Sequence, residues 1–300
     1  MDSVFDLYAS VLPVDREKLT HQLFIFWFIL TTGGIFMYLL FASISYWMYF
    51  STLKHQFFPK TIDPDDVQQL RKQVLHEIWI AVTSIPFMAF LGMPAATFSH
   101  RGYSKVYDSI ADYGWAYFLI SPVLFFVFTD FMVYCFHRGL HHPTIYKHVH
   151  KLHHTYKYTT PFSSHAFNPV DGFGQGLPYY IFIYLFPLHK LLFFTLFVMV
   201  NFWTILIHDQ VDFGGHFINT TGHHTIHHEL FNYDYGQYTT VWDRLCGSYR
   251  PAEQTHQMKT LLHAWDHKYE DPVYAKYHEK EGFLAGRFKQ AAMARHSKAA

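Results

Sequence analysis

The chain has 300 residues, half of them in the hydrophobic set and only 15% charged, where ordinary soluble domains carry roughly a quarter. Lys plus Arg and Asp plus Glu balance at 23 each, so no net field exists to hold nucleic acid, which is excluded as a partner. Cys135 and Cys246 are the two cysteines and make no disulfide framework.

An N-terminal arm, residues 1–22, lacks the basic stretch and short apolar core of a cleaved signal peptide. A spanning helix needs about 20 mostly apolar residues, and Leu23–Phe50 supplies them without a charge. Ile78–Phe98 is a second apolar segment and contains Pro86 and Pro94, which membrane helices tolerate better than soluble ones. Tyr113–Phe136 is a third, interrupted by Asp130 and running directly into His137. Residues 23–136 are therefore read as the transmembrane helices.

The last apolar region, Leu177–Ile207, is divided by Pro187-Leu188-His189-Lys190 and reads as a helical hairpin. Its first arm, Leu177–Phe186, is short for a crossing, so the hairpin is either re-entrant or extended through Gly172–Gly176. In both cases it enters and leaves on one face. The loop from Ser51 to Val74 carries Lys54, Lys60, Arg71 and Lys72 and is placed in the cytosol by the positive-inside rule. Three crossings then bring residues 137–250 to the cytosolic side, with 251–300 as a polar tail. The expected fold is an all-α integral membrane protein with three spans, a hairpin at 177–207 and a cytosolic histidine-rich helical cap.

Histidine is the outlier. An even spread of 24 over 300 residues would put one or two in 137–154, which holds seven. His137 and His141 stand at i and i+4 on one helical face; His150, His153 and His154, and again His224, His227 and His228, repeat an i, i+3, i+4 spacing. His208 lies at the polar end of the hairpin. Nine imidazoles suffice for two metals, and neutral imidazole suits Fe, Zn and Cu. Partners for the outer ring nitrogens are expected among Asp130, Asp171, Asp209, Glu229 and Asp234. His142 and His223 adjoin the favoured ligands but point elsewhere on a helix, toward outer or surface roles. Asp130 is either an outer partner or a helix cap. Thr159, Thr160, Ser163, Ser164 and His165 follow the second box; they either contact substrate or metal, with His165 a tenth candidate ligand, or form a turn with hydroxyl caps at Pro161. Trp242 and Tyr249 with Arg244 and Arg250 suggest an interfacial segment under the site.

At these boxes the sequence resembles the fatty acid hydroxylase superfamily, and the stretches HRGLHHPTIYKHVHKLHH, TPFSSHAFNPVDG and NYDYGQYTTVWDRLCGSYRP resemble its sterol C5-desaturases, the lathosterol oxidases. The resemblance covers Arg101 to Pro251. His208-Asp209-Gln210-Val211-Asp212-Phe213 departs from it, because the family commonly has a glycine soon after His-Asp. The resemblance implies a non-haem di-iron site, removal of two hydrogens across C5 and C6 of a Δ7-sterol, reduction of O2 to water, and electrons from cytochrome b5 and its reductase. It also implies a multi-pass protein of the endoplasmic reticulum membrane. The chain carries no haem signature, no Gly-x-Gly-x-x-Gly and no phosphate loop, so no bound haem, flavin or nicotinamide is expected. Competing readings are a C4-methyl sterol oxidase or lipid hydroxylase of the same superfamily and, from another class, a metal transporter or a non-catalytic sterol-binding protein.

Overall fold

The computed structural model describes residues 2–11, 15–48, 64–156, 159–209 and 215–251. A short α1 (Asp2–Val11) precedes three long helices, α2 (Leu19–Tyr46), α3 (Pro64–His100) and α4 (Gly114–Leu140). Each is long and apolar enough to cross a bilayer. Side chains such as Phe36, Trp79, Phe87, Leu119, Val127 and Phe194 point outward; on a water-soluble protein that surface would be a liability, whereas facing lipid it needs no cover. The protein is a helical membrane protein. Pro86 and Pro94 are absorbed within α3, where the Trp27 indole donates to the Pro86 carbonyl at 2.9 Å.

The helices define two ends. At one, α1 packs Phe5 against His100 with ring centroids 4.5 Å apart. Arg101 there donates to the Gln22 side chain and the Glu17 carbonyl. At the other, the Ser45 hydroxyl reaches Asp209 and the Tyr46 ring meets Phe162. The histidine boxes gather at this second end.

The hairpin is longer than its apolar pattern suggests. Its arms are α6 (Pro169–Leu185) and α7 (Lys190–Leu206), after a four-residue α5 (Pro143–Tyr146). α6 starts eight residues before Leu177 because the Asn168 side chain caps it, accepting from the Val170 amide at 2.9 Å, with Pro169 in the first turn. Seventeen residues rise about 25 Å, most of a hydrocarbon core. The tip pairs with the loop after α3: β1 (Val106–Tyr107) runs parallel to β2 (Leu188–His189), and the Lys105 amide donates to the Ile183 carbonyl at 2.7 Å. The hairpin therefore goes to the end opposite the boxes and returns. A buried aromatic and aliphatic cluster, including Phe125, Tyr179, Phe182 and Leu196, joins α4, α6 and α7. A second, with Tyr38, Ala81, Ile85 and Ile205, joins α2 and α3 to α7.

Three expectations are corrected. Residues 64–74, assigned to a cytosolic loop, belong to α3, while Ser51 to Asp63 lie outside the described residues. α2 starts at Leu19, taking the end of the proposed arm. The second box is not α-helical: turns over 147–152 lead into a 3-10 turn at His153–Thr155. The tail from Ala252, with His256, His263, His267, His278 and His296, lies outside the described residues, as do His55 and the turn at 210–214.

Candidate metal centre

Four pieces of chain deliver the boxes. The last turn of α4 holds His137, with His141 as its C-cap; the turn and 3-10 segment bring His150, His153 and His154. His208 stands in the turn after α7, and α8 (Thr221–Leu230) carries His224, His227 and His228. α8 opens with a reciprocal cap between Thr220 and His223 and closes at Phe231, whose φ of 64° turns the chain back over the site.

The nine rings form two groups, each with its potential ligand nitrogens within 4.8 Å of one another. His137, His141, His150, His154 and His227 make the first; His153, His208, His224 and His228 make the second. In the first, His154 Nε2 lies 3.2 Å from His141 Nε2 and 3.1 Å from His150 Nε2. In the second, His224 Nε2 lies 2.9 Å from His208 Nε2 and 3.1 Å from His228 Nε2. The groups abut, with His153 and His228 ring centroids 4.5 Å apart. Each draws on several boxes: His153 and His154, adjacent in sequence, serve different groups, and so do His227 and His228. Eight of the nine side chains are buried, and His141 is partly exposed.

Outer nitrogens are held from behind. His150 Nδ1 meets the Asp171 carboxylate at 2.7 Å. The carbonyls of Tyr235, Tyr233 and Thr204 take the Nδ1 of His137, His227 and His208 at 3.0, 2.8 and 2.6 Å. Each bond leaves Nε2 as the atom offered inward. The Nε2 atoms of His137 and His227 are buried and lack any hydrogen-bond partner, which is costly unless a ligand takes them. Burial, reinforced by repulsion among neighbouring rings, holds His153, His154, His224, His227 and His228 well below the ordinary histidine range. Burial also pushes His208 down to about 3. The rings are thus kept neutral, the form that binds metal. This donor set fits two ions of the kind that take imidazole.

The remaining candidates lie around the groups. His142 is exposed, and His223 caps α8. His165 belongs to neither group: it is buried between the Ser164 hydroxyl and the Asn201 amide oxygen, with Tyr38 against its ring. Thr160 caps the 3-10 helix Pro161–His165, so the turn-with-caps alternative describes this stretch, and its hydroxyl donates to Glu77 at 2.5 Å. Asp130 is buried and accepts from the amides of Tyr238 and Thr239 and the Thr239 hydroxyl; it ties the 232–240 loop to α4 rather than bonding an imidazole. Asp209 is buried and receives the Ser45 hydroxyl. Trp242 packs at a tilt against Phe131 of α4, ring centroids 4.6 Å apart, and Arg244 lies 3.7 Å over the Tyr249 ring.

Of the five acids expected as outer partners, Asp171 takes that role at His150, and a sixth acid, Glu77, stands out only in the structure. Asp171 is the described carboxylate bonded to a boxed histidine; the helix-start signal Asn168-Pro169 was the clue to its place in the first turn of α6. Glu77, fully buried in α3 against Gln73 and Thr160, had no sequence signal beyond being a charge near an apolar segment.

The fatty acid hydroxylase family model matches residues 122–248, the stretch that holds every box. The chain is 43% identical over 251 residues to a Delta(7)-sterol 5(6)-desaturase of Schizosaccharomyces pombe, covering 83% of this chain and 80% of that protein. It is 45% identical over 227 residues to the lathosterol oxidase of Rattus norvegicus, covering 73% and 72%, and 42% identical over 227 residues to that of Homo sapiens, again 73% and 72%. No solved structure matches the chain. With two buried histidine groups inside the matched segment and relatives aligned over most of both chains, the protein belongs to the fatty acid hydroxylase family, among its sterol 5(6)-desaturases.

Proposed function

We propose that this protein uses O2 to introduce the C5–C6 double bond of a Δ7-sterol, with electrons from cytochrome b5 and its reductase, in the endoplasmic reticulum membrane with the boxes cytosolic. The observation that carries the reading is the pair of buried imidazole groups in a chain 42–45% identical to proteins named for that reaction. His137, His141, His150, His154 and His227 would hold one iron, and His153, His208, His224 and His228 the other. When bound, the irons supply the oxygen-activating redox chemistry that an unactivated C–H bond demands. Two hydrogens leave the sterol and O2 becomes two waters, with two electrons from the donor and two protons from solvent closing the balance.

The chain's own part is positioning and exclusion. Asp171 and the three carbonyls fix ring orientation, and burial keeps His153, His154, His208, His224, His227 and His228 deprotonated. Phe167 against His153, Tyr146 and Phe231 against His154, and Tyr235 against His141 wall off the groups at ring distances of 4.9–5.8 Å, so that water is kept from the reaction. The outward apolar surface of α2–α4 and the hairpin offers a sterol a route from the bilayer. A transporter would set its ligands near the middle of the spans, whereas these groups begin at the last turn of α4.

The test joins two measurements. Purified protein is analysed for metal, and the sterols of a host lacking C5 desaturation are identified after the chain is expressed. Two irons per chain and a new 5,7-diene are expected. Accumulation of Δ7-sterol unchanged beside a C4-oxidised or hydroxylated lipid overturns the assignment.

A further inference from the structure

In the first group only His141 reaches the surface, with the Tyr146 ring 5.4 Å from its own. The chain that surrounds it, residues 137–154, contains Arg138, Lys147 and Lys151 and no Asp or Glu; all three cations are exposed, as is His148. The sign holds across the cap. Among its described residues the acids are Asp171, Asp209, Glu229, Asp234 and Asp243, each at most 7% exposed. They are turned inward: Asp171 to His150, Asp243 to the amides of Tyr235 and Gly236, Asp234 to the amide of Arg250. In a chain of zero net charge, the described exposed charges of residues 137–251 are thus all positive.

We propose that the exposed face formed by Arg138, Lys147, His148 and Lys151 around His141 is the docking surface for an acidic electron-transfer protein. The inference rests on the reading that electrons come from a separate donor, and it deepens that reading by naming where the donor sits. A cationic patch steers an anionic partner and orients it on contact. The partly exposed ring is the edge of the first group nearest to such a partner, so docking there brings a donor's redox group closest to the site. Anionic lipid headgroups are also drawn to cations; the arrangement around the exposed ring, rather than in a band about the helices, favours the protein.

The test uses the full-length protein in neutral-lipid nanodiscs and the soluble haem domain of cytochrome b5 as probe. Binding is measured at low and high salt for the parent, for Lys147→Glu/Lys151→Glu, for Lys147→Gln/Lys151→Gln, and for Lys18→Glu at the opposite end as control. The double reversal is expected to raise Kd by about tenfold at low salt, with a smaller rise for the glutamine pair and none for the control, and the differences should shrink as salt screens them. The glutamine pair preserves size and exposure, so its effect reads charge rather than folding. Equal binding by the parent and both lysine-pair variants overturns the surface while leaving the donor reading intact. No binding even to the parent overturns both. A reversal that weakens attachment to anionic vesicles but leaves haem-domain binding unchanged assigns the patch to lipid and overturns the proposal.

Discussion

The Nδ1 of His150 lies 2.7 Å from the Asp171 carboxylate, and neither side chain is exposed to solvent. Gln175, one turn on, donates to the other carboxylate oxygen at 2.7 Å. Asp171 is therefore held on both sides and in turn holds the imidazole. Replacement by Asn keeps the size but removes the charge that fixes the tautomer. We expect Asp171→Asn to lower metal affinity or turnover by about 10–100-fold with the helical circular dichroism spectrum unchanged. Wild-type metal content and rate in that variant would show the contact to be incidental.

Gly172 bears on the same contact. A Cβ there would lie 2.3 Å from Phe167 Cε2 and 2.7 Å from Met88 Cε. Both neighbours are side chains packed between α3 and the start of α6, so an added methyl forces Phe167 and Met88, or α6 itself, to shift. Gly172→Ala should cost about 1–3 kcal/mol, read as a lower melting temperature, and should also move Asp171 off His150. An unchanged melting temperature would show that Phe167 and Met88 yield freely.

The splitting of the second box gives a sharper outcome. Because His154 belongs to one group and His153 to the other, each replacement removes one ligand from a different site. His153→Ala should weaken the second metal and His154→Ala the first, so each variant should retain about one ion where the parent holds two, and neither should turn over. Loss of both ions from either variant would mean that the groups do not load separately.

Much of this was readable in advance, and the exceptions share a cause. Spacing pointed to the first and third boxes because imidazoles at i, i+3 and i+4 share a face of the helices that carry them, and to the second by repeating that pattern. Their allocation between two groups was not, since His153 and His154 part only through a turn and a 3-10 segment whose shape depends on packing against Phe167 and Phe231. The start of α6 was missed because Asp171, Gly172, Gly174, Gln175 and Gly176 interrupt the apolar run. They lie within a helix, where Asp171 bonds His150 and Gln175 bonds Asp171, rather than marking a loop. His165 and Asp130 looked like metal-site residues by position, yet their partners are Asn201 and the 238–239 amides, long-range contacts that no spacing encodes.

The two ends of the helices are expected on opposite sides of the membrane, the histidines on the cytosolic one. The structure puts the start of α2, the loop after α3 and the hairpin tip at one end, and all nine histidines at the other. The sequon Asn219-Thr220-Thr221 is a poor reporter of this, because the Asn219 side chain is buried and donates to the Gly236 carbonyl. Folded protein would resist glycosylation there in either orientation. Thiol labelling separates the ends instead. With Cys135 and Cys246 replaced by Ala, Tyr103→Cys sits on a side chain 71% exposed in the loop after α3, and Lys147→Cys sits on the histidine cap. Sealed vesicles with the cytosolic face outward are treated with a membrane-impermeant maleimide. We expect Lys147→Cys to react at once and Tyr103→Cys only after detergent is added, since α4 is the one crossing between them. Reaction at both positions in sealed vesicles would mean that α4 does not cross. The reverse pattern would put the histidine groups in the lumen, out of reach of a cytosolic donor, and the proposed electron path would fail with it.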